Sequence, residues 1–432
     1  MEQRRKNLTQ LFIPICLETL LYMLSGMVDT LMLSSVNDQA VGAVGTANTY
    51  IGIFIIMFSV ISSGMVAVMT QNIGAGRPGV AYQARQLGLA FNAVLGVIMS
   101  LFLSLGAGTI LSGVGVADAL MQPAKTYLQI VGGFCILNAL IPICSSYLRA
   151  FGFSKEPLYA SIIGNVINFC LNAFFLFVLH KGVAGVATAT VISRIINLVI
   201  VVLLGAVLVK AKQHPERESN RAVMGQIIRI GLPSACETAI YNVSMTLVIR
   251  FLNQMDAQGL NVTARSYTMQ ITNFSYCVGA ALAQANAIMT GWHIGAKEYD
   301  ACDRGTKKAA VIGVIVAVIL ETVFTLCSGW IMQLFSKDPQ MVSLVGKLLA
   351  IDIVLEMGRV TNLVYGQALK TSGDAVFPVV MGACFMILCS VGGTYLFGIR
   401  LGLLAVGAYI GMAGDECVRA VGMYLRWKSG KW

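Results

Sequence analysis

The chain has 432 residues, of which 57% are apolar and only 12% charged, with a mean hydropathy of +0.76. Soluble domains carry about 25% charged residues, so this composition excludes a water-soluble globular protein. The net charge of +10 does not mark a nucleic-acid binder, because the basic residues sit in short connections between apolar runs, the pattern of a topology signal. Runs long enough to cross about 30 Å of hydrocarbon are predicted at 11–34, 41–71, 87–111, 126–150, 158–179 and 183–209. They resume at 228–252, 263–290, 308–334, 342–370, 377–397 and 401–427. Arg4, Arg5 and Lys6 precede the first run, which continues past Asp29 without a small-residue cleavage site. It is therefore expected to be a retained span rather than a signal peptide. The charged stretch 210–227, with Pro215 inside it, reads as a linker between an N-terminal lobe (1–209) and a C-terminal lobe (228–432).

The two halves are internal copies. Pro14-x-x-x-Glu18-Thr19-x-x-Tyr22 recurs as Pro233-x-x-x-Glu237-Thr238-x-x-Tyr241. Met69-Thr70 with Ile73-Gly74-Ala75 recurs as Met289-Thr290 with Ile294-Gly295-Ala296. Leu148-Arg149-x-x-Gly152-x4-Pro157 recurs as Leu369-Lys370-x-x-Gly373-x4-Pro378. All three matches keep their order at an offset of 219 to 221 residues. Lys and Arg concentrate at the N-terminus, after the even-numbered spans and in the C-terminal tail, which predicts that both termini are cytoplasmic. An even number of spans per copy gives the copies the same orientation, related by an axis along the membrane normal. That is one of the plans on which transporters rock between two states. The expected fold is thus an all-α membrane protein of twelve transmembrane helices in two pseudo-twofold-related six-helix lobes.

A carboxylate at the bilayer centre costs about 2.5–3.5 kcal/mol on insertion scales and persists mainly where it is paired, hydrated or functional. Asp29 lies well inside the first span, and its counterpart in the second copy is Val248. Asn165, Asn168 and Asn172 share one face of the fifth span, and their counterparts are Met386, Cys389 and Gly393. A polar cluster confined to one copy points to a role other than architecture. Amide oxygens are hard ligands suited to Na⁺, and an aspartate supplies the neutralising charge. The alternative is an asparagine ladder that holds helices together.

Glu18 and Glu237 are repeated, each one turn after a helix-entry proline, and could either bond a helix end or face a substrate cavity. In the tenth span Glu356 and Arg359 are spaced to pair with each other, near Asp352. Arg194 in the sixth span and Glu321 in the ninth have no obvious partner in sequence, and either could line the cavity or snorkel. The eleven cysteines are scattered singly and His180, His214 and His293 lie far apart, so no metal centre of the zinc type is expected. The loop Gly74-Ala75-Gly76-Arg77 is not a phosphate cradle, and no nucleophile–base arrangement is recognisable, so an enzyme is not expected.

Several of these residues together resemble the MATE (multidrug and toxic compound extrusion) family. They are Pro14 with Val28-Asp29-Thr30, the loop from Gln71 to Arg77, Gly231-Leu232-Pro233, and Leu369-Lys370-x-x-Gly373-Asp374, within the duplicated six-helix plan. The resemblance covers essentially the whole chain. It implies export of small cationic or amphipathic compounds driven by inward Na⁺ or H⁺ flow, with no other cofactor. It also implies a cation site in the N-terminal lobe at Asp29, Asn168, Asn172 and Thr190, with Tyr127 beside it. Asp29, Asn168 and Asn172 would then be the Na⁺ ligands. Glu237, Glu18, Glu356, Arg359 and Arg194 are the candidates for the substrate cavity. Such a protein is expected to be a monomer in the bacterial inner (plasma) membrane, with the lipid bilayer and a small-molecule substrate as its partners and no nucleic acid. The competing expectation is a flippase for lipid-linked precursors, against which the scarcity of buried basic residues argues.

Overall fold

A computed structural model describes residues 6–34, 38–113, 116, 118–210, 216–256, 259–333 and 336–432. Arg4, Arg5, His214 and Pro215 lie outside the described residues. The described chain is helical from end to end, in twelve successive segments. In the first half these are α1 (Leu8–Ser34), α2 (Asp38–Gly74), α3 (Pro78–Gly113), α4, α5 and α6 (Gly182–Leu208). α4 is composite, running through Asp118–Tyr127, a π-helical turn Leu128–Gly132, and Ile136–Ala150. α5 joins Lys155–Ala173 to a π-helical turn Phe174–Val178. The second half holds α7 (Asn220–Met255), α8 (Leu260–Gly295), α9 (Tyr299–Leu326, with a short extension Ser328–Met332) and α10 (Pro339–Ser372). It ends with α11 (Val376–Phe385, then π-helical Met386–Val391 and Thr394–Arg400) and α12 (Leu404–Lys428). Each of the twelve expected spans falls on one of these segments.

Among the described residues seven helices are long and apolar enough to cross a membrane by length and composition alone, and α4 makes an eighth if its bent halves are one span. The remaining four, α7, α8, α10 and α12, are long enough but diluted by charged residues or, in α8, by uncharged polar ones. Arg229 and Arg250 lie on α7, Asp352, Glu356 and Arg359 on α10, and Asp415, Glu416 and Arg419 on α12. Most of the charged groups on α10 and α12 turn inward, so bundle packing rather than lipid solvates them.

The chain divides into two compact units, Met1–Leu232 and Pro233–Trp432. The division falls inside α7, between Leu232 and the helix-internal Pro233. The first turns of α7 belong to the first unit for specific reasons. The side-chain amide of Gln83 and the backbone of Glu218 exchange two hydrogen bonds, at 2.7 and 3.1 Å. Arg77 pairs with Glu218 at 2.5 Å. Further along, α7 touches α2 backbone to backbone. A Cβ on Gly64 would overlap the Ile227 carbonyl oxygen, and one on Gly231 would overlap that of Val60. Gly231→Ala is therefore expected to cost about 1–3 kcal/mol, the range for overpacking. A drop in the melting temperature of the purified protein in detergent would register it, and an unchanged value would contradict this packing.

The repeated sequence motifs acquire physical explanations. Leu148-Arg149-x-x-Gly152 and Leu369-Lys370-x-x-Gly373 are helix C-caps closing α4 and α10. Gly152 (φ 85°) and Gly373 (φ 110°) adopt the left-handed conformation that glycine reaches without a Cβ clash. Phe153 N–H then donates to the Leu148 carbonyl at 2.9 Å, and Asp374 N–H to the Leu369 carbonyl at 3.0 Å. Pro14 in α1 cannot donate a backbone hydrogen bond to the carbonyl of Gln10. Ser154 Oγ donates to that carbonyl instead, at 2.9 Å. The repeat breaks in one informative place. α10 runs unbroken, whereas α4 carries a π turn after Tyr127 and bends by 42° between its halves. Such turns recur at functional positions because they re-aim a side chain within a span.

Candidate functional site

In the first unit α1 packs along α5, and the asparagine stripe is the polar seam between them. Asn165 Nδ2 donates to the carbonyl of Leu21 in α1 at 3.5 Å. About two turns further on, Asn172 Nδ2 donates to Asp29 Oδ1 at 2.6 Å and to Asn168 Oδ1 at 3.2 Å. Asn168 and Asn172 are buried, at 5% and 0% exposure. The three-and-four spacing of the stripe makes this possible, since it stacks all three amides on the face that meets α1. The bond from Asn172 to Asp29 is at the short end for an amide donor.

Two further groups converge on Asp29. Tyr127, 5% exposed at the π-turn junction of α4, has Asn48, Arg194 and Asp29 among its polar neighbours. Arg194 of α6 is close enough to act electrostatically on both Asp29 and Tyr127. Thr190, one turn before Arg194 on α6, is buried, and its hydroxyl donates to the Val186 carbonyl at 2.9 Å. Its oxygen keeps lone pairs for a further partner. No contact joins Thr190 directly to Asp29 among the described residues.

The donor set suits a small hard cation or a proton. Asp29 offers a carboxylate with one oxygen engaged by Asn172. Asn172 Oδ1 is buried and has no hydrogen-bond partner among the described residues. An unsatisfied buried acceptor costs about 1–3 kcal/mol. A metal ion accepting that oxygen, or an O–H on a protonated Asp29 donating locally, would relieve the cost. No soft ligand takes part, so the site fits Na⁺ or H⁺ and not a thiophilic metal.

The repeated glutamates are paired. Glu18 takes a 2.6 Å ion pair from Arg149 and faces Ser161 Oγ at 3.5 Å. Glu237 takes a 2.6 Å ion pair from Lys370. Both pairs are mostly buried, and both join the first helix of a unit, one turn after its proline, to the C-cap motif of its fourth. The two conserved features of the internal repeat therefore bind each other, once in each unit. Sequence reasoning placed Arg149 and Lys370 in a repeat but did not pair them with the glutamates. Their shared offset was the signal available.

In the second unit Glu356 and Arg359 do pair, as their spacing indicates. They belong to a larger assembly, because Arg359 also reaches Glu416 at 3.5 Å and Arg419 holds Asp415 and Glu416, each at 2.9 Å. Asn362 donates to Glu416 at 3.1 Å and Ser390 to Asp415 at 2.9 Å. The α12 triplet was missed in sequence, although charges three and four apart inside an apolar span are the usual mark of an intramembrane pair. A Cβ on Gly358 would come within 2.8 Å of the Cys417 nitrogen, so α10 and α12 are in backbone contact where these charges meet.

The MatE family model matches residues 14–174 and 233–396, beginning in each copy at the repeated proline. The uncharacterized transporter YisQ of Bacillus subtilis is 34% identical over 97% of this chain and 93% of its own length. A probable multidrug resistance protein NorM of Thermotoga maritima is 23% identical, over 99% and 93% of the two chains. Among solved structures, a MATE transporter of Vibrio cholerae superposes with a TM-score of 0.88 at 17% identity, covering 98% of this chain and 96% of that one. A MOP-superfamily transporter of Pyrococcus furiosus gives 0.87 at 18% identity, with 98% and 95% covered. With both copies of its six-helix unit matched by one model and a full-length relative above 30% identity, this chain belongs to the MatE family and is a multi-pass membrane transporter.

Proposed function

We propose that the protein is a secondary antiporter that exports small organic compounds of cationic or amphipathic character in exchange for inward Na⁺ or H⁺. Its coupling site is Asp29 with Asn172 and Asn168, and Tyr127, Thr190 and Arg194 complete the surround. The observation that carries this reading is the 2.6 Å bond from buried Asn172 to the one carboxylate of α1 that the repeat does not share. Relatives named as multidrug resistance proteins support the substrate class. Cation or proton binding changes the charge of Asp29 and hence its hold on Asn172, which alters how α1 seats on α5. The substrate is released outward as α1 shifts. In the plasma membrane with both termini cytoplasmic, a 100 mV potential supplies about 2.3 kcal/mol per charge moved inward.

Proteoliposomes loaded with a fluorescent organic cation test the coupling. A Na⁺ gradient and a pH gradient are imposed separately at zero membrane potential. One of the two is expected to drive flux, and no response to either would refute antiport.

A further inference from the structure

The second unit buries more negative charge than its guanidiniums neutralise. Glu321 on α9, Asp352 and Glu356 on α10, and Asp415 and Glu416 on α12 are all between 0% and 5% exposed. Two arginines serve them. Arg419 takes Asp415 and Glu416, and Arg359 takes Glu356 and the far side of Glu416. Glu321 and Asp352 are left with no ion pair among the described residues. Both oxygens of Glu321, Oδ2 of Asp352 and Oε2 of Glu356 also have no hydrogen-bond partner. Asp352 and Glu356 are the carboxylates that act on Glu321 electrostatically.

With every group ionised, five negative charges would face the guanidiniums of Arg359 and Arg419, with Arg265 farther off behind Tyr409. A single uncompensated ion costs several kcal/mol in such surroundings, and a second carboxylate beside it adds to the cost. Protonation removes the charge and at the same time creates an O–H donor for a neighbouring oxygen. A bound metal would need several converging oxygens. Among the described residues no three His, Cys, Asp or Glu side chains are placed to hold one.

We propose that Glu321, beside the second unpaired carboxylate Asp352, is a proton-binding site in the second unit, separate from Asp29. The groups that face it are few. α10 presents Asp352, Glu356 and Arg359, and α8 presents the Ser275 hydroxyl. From α12, Glu416 acts through Arg359, and Tyr409 faces Asp352 with Arg265 of α8 behind it. Arg359 is the shared counter-charge in this set. It is held by Glu356 and Glu416, and it also acts on Asp352. A shift of Arg359 toward Asp352 would stabilise the second carboxylate and release the proton. As a proton site Glu321 stands on the geometry alone. Its place in an exchange cycle rests on the antiport reading.

Infrared difference spectra of the reconstituted full-length protein, recorded while pH is raised from acid to alkaline, test the site. A protonated carboxylic acid has a C=O band well separated from that of a carboxylate. Wild type is expected to retain a carboxylic acid band at neutral pH. Glu321→Gln is expected to lose one carboxyl equivalent of it, and Asp29→Asn to keep that equivalent. A Glu321→Gln spectrum superimposable on wild type would overturn the proposal. If that variant fails to fold, wild type is treated at neutral pH with a hydrophobic carbodiimide, which reacts with buried protonated carboxyls. An adduct mapped to Glu321 supports the site, and modification elsewhere with none at Glu321 or Asp352 overturns it. Both readouts need no transport, so failure of the antiport reading would leave them unchanged.

Discussion

Replacing Arg419 with alanine is expected to unfold or severely loosen the second unit. Arg419 is 3% exposed in its side chain and holds two carboxylates at 2.9 Å that are themselves almost wholly buried. Its removal strands Asp415 in a low-dielectric interior and leaves Glu416 only the 3.5 Å contact with Arg359, which Glu356 shares. Breaking a buried pair by deleting one partner costs about 3–5 kcal/mol, chiefly the desolvation of the charge left behind. That is a large share of the stability of an ordinary domain. The yield of monodisperse protein and its melting temperature in detergent should fall sharply. The companion variant Arg419→Ala with Asp415→Asn and Glu416→Gln should recover much of the loss, since it removes the stranded charges as well as their partner. If the single variant were as stable as wild type, the account of α12 as an electrostatically closed helix would be wrong.

A large functional effect is expected for Asp29→Asn. The substitution keeps the shape of the side chain and can keep a hydrogen bond with Asn172. It removes the charge that changes when a cation or proton binds. Export against a gradient should then lose its energy source. At 100 mV, one net charge moved inward per cycle, as with an uncharged amphipathic substrate, is worth about 2.3 kcal/mol, equivalent to an accumulation ratio of about 50-fold. The variant should accumulate substrate no further than equilibrium. Because the seam with α5 is retained, its melting temperature should stay near that of wild type. A large loss of stability would instead identify Asp29 as a structural member of the helix pair.

The span pattern was legible because hydropathy responds to the solvent that each stretch must match. The ends were less so. α3 begins at Pro78 and α7 at Asn220, well before the apolar runs at 87 and 228, because these helices continue into polar surroundings where hydropathy has no signal. α9 was expected to run on to 334, but it closes at Leu326 and resumes as the short helix from Ser328. The cluster at Asp29 was legible from its one-sided distribution between the repeats and from the spacing of the asparagines. What joins it is a contact across 143 residues of chain, which no local pattern encodes. The same is true of Glu18 with Arg149, separated by 131 residues. Their pairing follows only once α1 and the C-cap of α4 are brought together. Of the five-acid assembly in the second unit, the pair Glu356 and Arg359 was legible from its spacing on one helix, and the α12 triplet, which carries the same spacing signal, was missed. What brings α9, α10 and α12 together at this point is tertiary packing, which no local pattern encodes.

The most direct test of a coupling carboxylate in the first unit compares two assays on the same Asp29→Asn proteoliposomes. One measures accumulation driven by an imposed cation gradient, and the other measures substrate counterflow with no gradient. If Asp29 carries the coupling charge, driven accumulation is lost while counterflow continues at a measurable rate. Driven accumulation at the wild-type level would contradict the assignment.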